Sequence, residues 1–184
     1  MAEPTKLPTT EAEPRKRATP QDLRALTHPL SWRILRLCLE KSQTNQQLAQ
    51  RLGVSPATLL RRMRALTDAG FLTVEPPRQG EHGAWERPYR ATGATWRLDL
   101  GTDADQLTGQ IDLAIVDAHR AELIESGPNP SRHTRREILH LDATTRTELD
   151  QRIDDLLDEF QNRSTPDGTP VSVLWNAVEQ ADTP

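Results

Sequence analysis

Apolar residues recur most regularly between Thr44 and Phe71, in the stretch TNQQLAQRLGVSPATLLRRMRALTDAGF. Leu48 and Leu52 lie four apart, and Leu59, Met63 and Leu66 follow at steps of four and three, so each set lines one face of a helix. The residues between them mark the helix ends. Thr44 and Gln47 have the spacing of a capping box, and Gly53 can take the left-handed conformation that closes a helix. Ser55 is a second N-cap, and Pro56 falls at the first helical position, where its missing N–H does no harm. The second helix stops at Gly70, and its outer face shows Thr58, Leu60, Arg61, Arg62 and Arg64. A short helix, a glycine turn and a basic second helix predict a helix-turn-helix whose second member enters the major groove. The plain alternative is a surface hairpin of helices with solvated arginines.

The flanking patterns extend this unit. Residues 20–41 predict two helices, the first packed by Leu23 and Leu26 and broken at His28-Pro29. The second presents Leu30, Ile34, Leu37 and Cys38 at helical spacing, with Leu35 widening the face. After the helix-turn-helix, FLTVE reads as a strand, PPRQGEHG as a connection, and AWERPYRA as a second strand with Trp85, Arg87 and Tyr89 at alternate positions. That hairpin is a wing. Pro88 cannot donate to a ladder, which predicts an edge strand. Residues 95–100 alternate again and suggest a third strand.

Further on, 105–126 predicts a long helix ended by Gly127-Pro128. Leu107, Ile111, Ala114, Ala118 and Ala121 form a heptad-like seam of small residues, suited to close helix contact within the domain or with a second copy. REILHLD then reads as a strand, and residues 142–163 as an amphipathic helix with Leu149, Ile153, Leu156 and Phe160 inward and Thr145 and Glu148 as its capping box. SVLWNAV closes the chain as another strand. The expected class is mainly α with a small β wing (α+β): a winged helix-turn-helix, a long dimerisation helix, and a small strand-helix-strand appendage.

Composition divides the chain into three. With 184 residues, 35% apolar and 4% aromatic, and 14 prolines, part of the length is expected to be tail or linker. Residues 1–19 read as a disordered tail, in which Arg15-Lys16-Arg17 could serve as an arm on DNA. Residues 20–98 form the DNA-binding domain, and 99–184 a dimerisation region with room for an effector. The net charge of -4 hides an asymmetry: 20–98 holds twelve bases against six acids, whereas 99–184 carries a net -11. The basic segment attracts phosphate and the acidic one repels it. No apolar run approaches a membrane span, the N-terminus lacks an apolar signal core, and a single cysteine, Cys38, fits a reducing cytoplasm.

Four stretches together resemble the winged helix-turn-helix of ArsR-type bacterial transcription regulators. They are Leu26-Thr27-His28-Pro29-Leu30, Arg33-Ile34-Leu35, Leu48-Ala49-Gln50-Arg51-Leu52-Gly53-Val54-Ser55 and Leu66-Thr67-Asp68-Ala69-Gly70-Phe71. The resemblance covers about residues 20–98. It implies a homodimer on operator DNA, usually a repressor, joined by helices flanking the DNA-binding core. Family members often carry a Ser and a His in the middle of the recognition helix, where this chain has Leu60 and Arg62.

The candidate DNA contacts are therefore Thr44, Ser55, Ala57, Thr58, Leu60, Arg61, Arg62 and Arg64, with Arg78 and Arg87 from the wing. Ser55 and Thr58 would meet phosphate or base edges, Leu60 a thymine methyl, and Arg61 and Arg62 guanine or phosphate. The candidate dimer seam is Leu107, Ile111, Ala114, Ala118 and Ala121. The partners are double-stranded DNA and a second copy; a protein-interaction module without sequence-specific DNA binding is the rival.

No metal, cofactor or catalytic residue is assigned. The family's thiolate site needs paired cysteines, which TNQQLAQRL lacks. Its other site begins with Asp-x-His, matched by Asp117-Ala118-His119, but the partner position falls at Pro130, and His133 lies beyond the Gly127-Pro128 break. Two ligands do not complete a tetrahedral site. There is no Gly-rich phosphate loop or nucleophile elbow, and the carboxylates of 142–159 sit at the spacing of a solvated helical face.

Overall fold

The computed structural model describes residues 16–80, 83–99, 106–128, 133–165 and 167–179. Residues 1–15, with Arg15, and also His82 and Pro130 lie outside them, as does the side chain of Trp96. The described residues fall into two units, one up to Glu125 and one from Ser126 onward.

The first unit is a winged helix built on four short helices. Helix α1 (Pro20–Leu26) starts at a capping box the sequence reading missed: the Thr19 hydroxyl accepts the Asp22 N–H, and the Asp22 carboxylate accepts the Thr19 N–H. Helix α2 (Pro29–Glu40) begins at His28, whose ring Nδ1 accepts the Leu30 N–H at 3.1 Å. Helices α3 (Asn45–Leu52) and α4 (Pro56–Asp68) follow the predicted caps: Thr44 with Gln47, Gly53 at φ 65°, and Ser55 accepting the Thr58 N–H. Leu26, Ile34, Leu48, Leu59, Met63, Leu66 and Phe71 are almost fully enclosed and form one core. Each such side chain contributes about 1.5–3 kcal/mol relative to exposure.

The sheet differs from the expected hairpin. Strands β2 (Gln43–Thr44) and β3 (Leu72–Val74) both pair antiparallel with β6 (Pro88–Ala91), so β6 is central and Pro88 is not on an edge. Pro88 is tolerated because it is the first residue of its strand and acts through its carbonyl, which accepts the Glu75 N–H at 2.9 Å. The outer wing is a separate ribbon, β4 (Arg78–Gln79) with β5 (Trp85–Glu86). Arg87 interrupts the expected continuous strand. Trp85 therefore stays on the exposed ribbon while Tyr89 is half-buried in the inner sheet.

The expected third strand is mostly a 3-10 turn, Ala94–Arg97, ahead of the two-residue β7 (Leu98–Asp99). The Thr92 hydroxyl donates to Gly70 O and accepts the Ala94 N–H, which curls the chain before any ladder forms. Strand β7 pairs in parallel with β1 (Lys16–Arg17), so the last part of the expected disordered tail is ordered.

Helix α5 (Gln106–Glu125) corrects the expected dimer seam. Ile111, Ala114 and Ala118 are buried and Leu107 and Ala121 half-buried. Ile111 belongs to the same core as Ile34 and Leu59, and Leu107 and Ile115 pack against that core. Small residues let α5 approach its own domain closely, so the seam is used within the chain. Arg33 pairs with Glu125, and Arg36 with Glu122 at 2.7 Å, along the same contact. The helix expected to open the second region thus belongs to the first unit. The other side of α5 leaves Leu113 and Ile124 each 67% exposed.

In the second unit, helix α6 (Ala143–Asn162) is capped by Asp142, whose carboxylate accepts the Thr145 N–H at 2.8 Å; the Thr145–Glu148 box is not used. That hydrogen bond holds the Asp142 carboxyl below the ordinary carboxylate range. Three intrahelical pairs line the helix: Arg146–Asp150, Glu148–Arg152 and Glu159–Arg163. Neither expected strand forms: 133–142 and 171–179 carry no helix or ladder, and none of the described residues from 133 onward is buried. The alternating pattern was present, but a strand also needs a second backbone to bond to. Leu156 and Phe160, expected inward, are about half exposed, at 48% and 55%. Among the described residues, no helix is long and apolar enough to cross a membrane.

Candidate nucleic-acid interface

Helix α4 divides cleanly into two faces. Leu59, Met63 and Leu66 are fully buried, which fixes the opposite side outward. There Ala57, Thr58, Arg61 and Arg64 are exposed, and Leu60 and Arg62 are partly exposed. The N-terminus of α4 is held in two ways. The Ser55 hydroxyl accepts the Thr58 N–H and donates to the Thr58 hydroxyl at 2.9 Å. The Asn45 side-chain amide donates to the Pro56 carbonyl at 3.1 Å, tying α3 to α4. The Ser55 hydroxyl is spent on Thr58 in both directions, which leaves the Thr58 hydroxyl proton at the helix start to donate to a phosphate oxygen.

Charge pairing separates the arginines of the scaffold from those of the outward face. Arg33, Arg36 and Arg78 meet carboxylates, Arg78 meeting Glu86 at a loose 3.8 Å. Among the described residues, no carboxylate pairs with Arg61, Arg62, Arg64 or Arg87. Partial burial lowers the Arg62 pKa, and the neighbouring Arg61 adds to the shift. Burial, then Arg62, then Arg61 likewise hold the His28 ring below its ordinary value. His28 is thus a neutral cap set beside the basic face. A cluster of like charges without counter-ions stores repulsion that an anionic partner relieves.

The predicted contacts are not all brought to that face. Thr44 is buried, and its hydroxyl is spent on the Gln47 N–H, so it is a structural cap unable to reach DNA. Ser55, Ala57, Thr58, Leu60, Arg61, Arg62 and Arg64 share the outer surface of one helix. Arg78 and Arg87 sit exposed on the wing. Sequence reasoning passed over Trp85, which is 77% exposed opposite Gln79 on the outer ribbon. Its place beside the Gly83-Ala84 tip was the available signal. Asp117 and His119 are two positions apart on α5, where side chains do not face one another. Among the described residues, no group of three or more potential metal ligands occurs.

Comparison with known proteins agrees with this geometry. A family model described as winged helix-turn-helix DNA-binding matches residues 30–73, from α2 to β3. That stretch is therefore similar to a winged helix-turn-helix of the DNA-binding kind. No curated protein matches the chain. A solved structure described as a "possible transcriptional regulator for arsenical resistance" shares 23% identity over 60% of this chain and 100% of its own, with a TM-score of 0.32. A likeness that remote carries no argument about function.

Proposed function

We propose that this chain is a sequence-specific, double-stranded DNA-binding transcription regulator of the ArsR-like kind, acting in the cytoplasm as a homodimeric repressor. The observation that carries the reading is the outward face of α4, where three arginines have no carboxylate partner among the described residues, beside a fixed, hydroxyl-bearing helix start. The N-terminal half of α4 would lie in the major groove, with Arg61 and Arg62 on guanine or phosphate and Leu60 on a thymine methyl. Arg78 and Arg87 would grip the flanking backbone from the wing. Repression follows from occupying an operator that polymerase needs. The outward apolar residues of α5, Leu113 and Ile124 foremost, offer a surface for the second copy in place of the buried seam.

The test is selection of bound duplexes from a random pool. A recovered palindrome with half-sites about one helical turn apart, roughly 34 Å, is the expected result. Recovery of no preferred sequence, with binding that only follows salt, would reduce the assignment to a non-specific binder or an interaction module.

A further inference from the structure

Strands β4 and β5 meet in two residue pairs, Arg78 opposite Glu86 and Gln79 opposite Trp85. Side chains alternate across a ribbon, so the two pairs lie on opposite faces. On one face Arg78 meets Glu86 at 3.8 Å, and its charge is partly offset. The other face carries no charge: an amide beside an indole that is 77% exposed. Among the described residues, neither the Gln79 amide nor the Trp85 Nε1–H has a hydrogen-bond partner. Trp32 shows the contrast, since its ring packs against the core and its Nε1 donates to the Leu26 carbonyl at 2.8 Å. Trp85 packs no core. Its strand is nevertheless held, because the Gly80 N–H donates to the Ala84 carbonyl at 2.8 Å and the Gly83 N–H to the Gly80 carbonyl at 2.9 Å. A large ring fixed in water, with its N–H unspent, is placed for a partner.

We propose that the outer wing enters the minor groove beside each half-site and reads A·T pairs there with Gln79 and Trp85. This rests on the DNA-binding reading above and adds a second base-reading contact to it. The chemistry of the two side chains selects the occupant. An A·T pair offers only acceptors in the minor groove, adenine N3 and thymine O2, along a floor about 6 Å wide. The Gln79 amide and the indole N–H are donors for that floor, while the flat face of the indole packs on the apolar deoxyribose wall. A G·C pair sets the guanine amino group against them, donor facing donor. A peptide partner has no such one-sided row of acceptors between apolar walls. Arg87, two residues beyond Trp85, is exposed and meets no carboxylate among the described residues, which gives the ribbon the charge that draws in a polyanion.

The probe is a duplex recovered by the full chain from a random pool, with a second version in which the A·T pairs beside each half-site become 2,6-diaminopurine·T. That change adds an amino group to the minor groove and leaves the major-groove acceptors and donors of the pair in place. The added amino group should weaken binding by the unsubstituted chain about ten-fold. Trp85→Ala should weaken binding to the original duplex by a similar factor and no longer respond to the amino group, whereas Trp85→Phe, which keeps a ring, should retain most of the affinity. Melting of the first unit should not change, because the side chain packs no core. Recovered flanks rich in G·C overturn the proposal, as does Trp85→Ala binding the original duplex as tightly as the unsubstituted chain. Weakened binding by Trp85→Ala with the response to the amino group intact also overturns it, since the ring then acts outside the groove. Each of these leaves the DNA assignment standing. A chain that recovers no duplex sinks that assignment, and this contact with it.

Discussion

The side-chain amide of Asn45 donates to the backbone carbonyl of Pro56 across 3.1 Å, from the first residue of one helix to the first of the next. Its own Oδ1 is buried and finds no hydrogen-bond partner among the described residues. This bond fixes the angle between α3 and α4 at the end that would meet DNA.

Asn45→Ala should therefore cost about 1 kcal/mol of stability and loosen the start of α4. Chemical denaturation reads the first effect. Gel-shift titration on the selected operator should show a weaker affinity than that small loss explains, because helix orientation is disturbed. Unchanged affinity would make the bond purely structural.

His28 gives the fold a pH dependence of defined sign. Its folded-state pKa lies below the ordinary 6.5, through burial and then Arg62 and Arg61. The unfolded chain takes up the proton first, so this contribution is complete above about pH 6.5 and is lost as pH falls toward the folded-state value. Protonation also removes the Nδ1 lone pair that accepts the Leu30 N–H. His28→Asn, which keeps a capping acceptor, should flatten the melting-temperature profile between pH 7 and 5. A variant profile parallel to the original would assign the dependence elsewhere.

Arg61→Ala and Arg62→Ala should each weaken operator binding by about 1–3 kcal/mol if they read guanine, and relax preference at one base position. Uniform weakening over all sequences, with a salt slope shallower by about one, would identify a phosphate contact. The folded stability should hardly change or should rise slightly, since each substitution removes a like charge from the α4 face.

Ile111→Ala separates a core role from a dimer role for α5. Its side chain is fully buried within one chain, so truncation should cost about 2–5 kcal/mol of unfolding free energy. That loss should not depend on protein concentration. A concentration-dependent loss would restore Ile111 to a subunit interface.

Much of the helix-turn-helix was legible because its signals are local. Thr44, Gln47, Gly53, Ser55 and Pro56 each act within a few residues of themselves, and the structure uses every one. Partner choice was not legible. The periodicity of Ile111, Ala114 and Ala118 announces an apolar face but says nothing of what meets it, and the domain's own α2 does. Pro88 misled for a similar reason, since losing one donor removes a strand from a position, not from the middle of a sheet. The alternation in 171–175 likewise marks a strand without supplying its neighbour. Thr44 lies off the outward face of α4: a hydroxyl that caps a helix and one that meets phosphate look identical in sequence.

Strand β6 receives β2 on one side, from just before α3, and β3 on the other, from just after α4. The reading head and the inner part of the wing are consequently bolted to a common plate. An operator that demands a different tilt cannot be met by bending α4 alone, because the plate would have to come apart. Tuning of recognition from elsewhere in the molecule is left to the rigid displacement of the whole head.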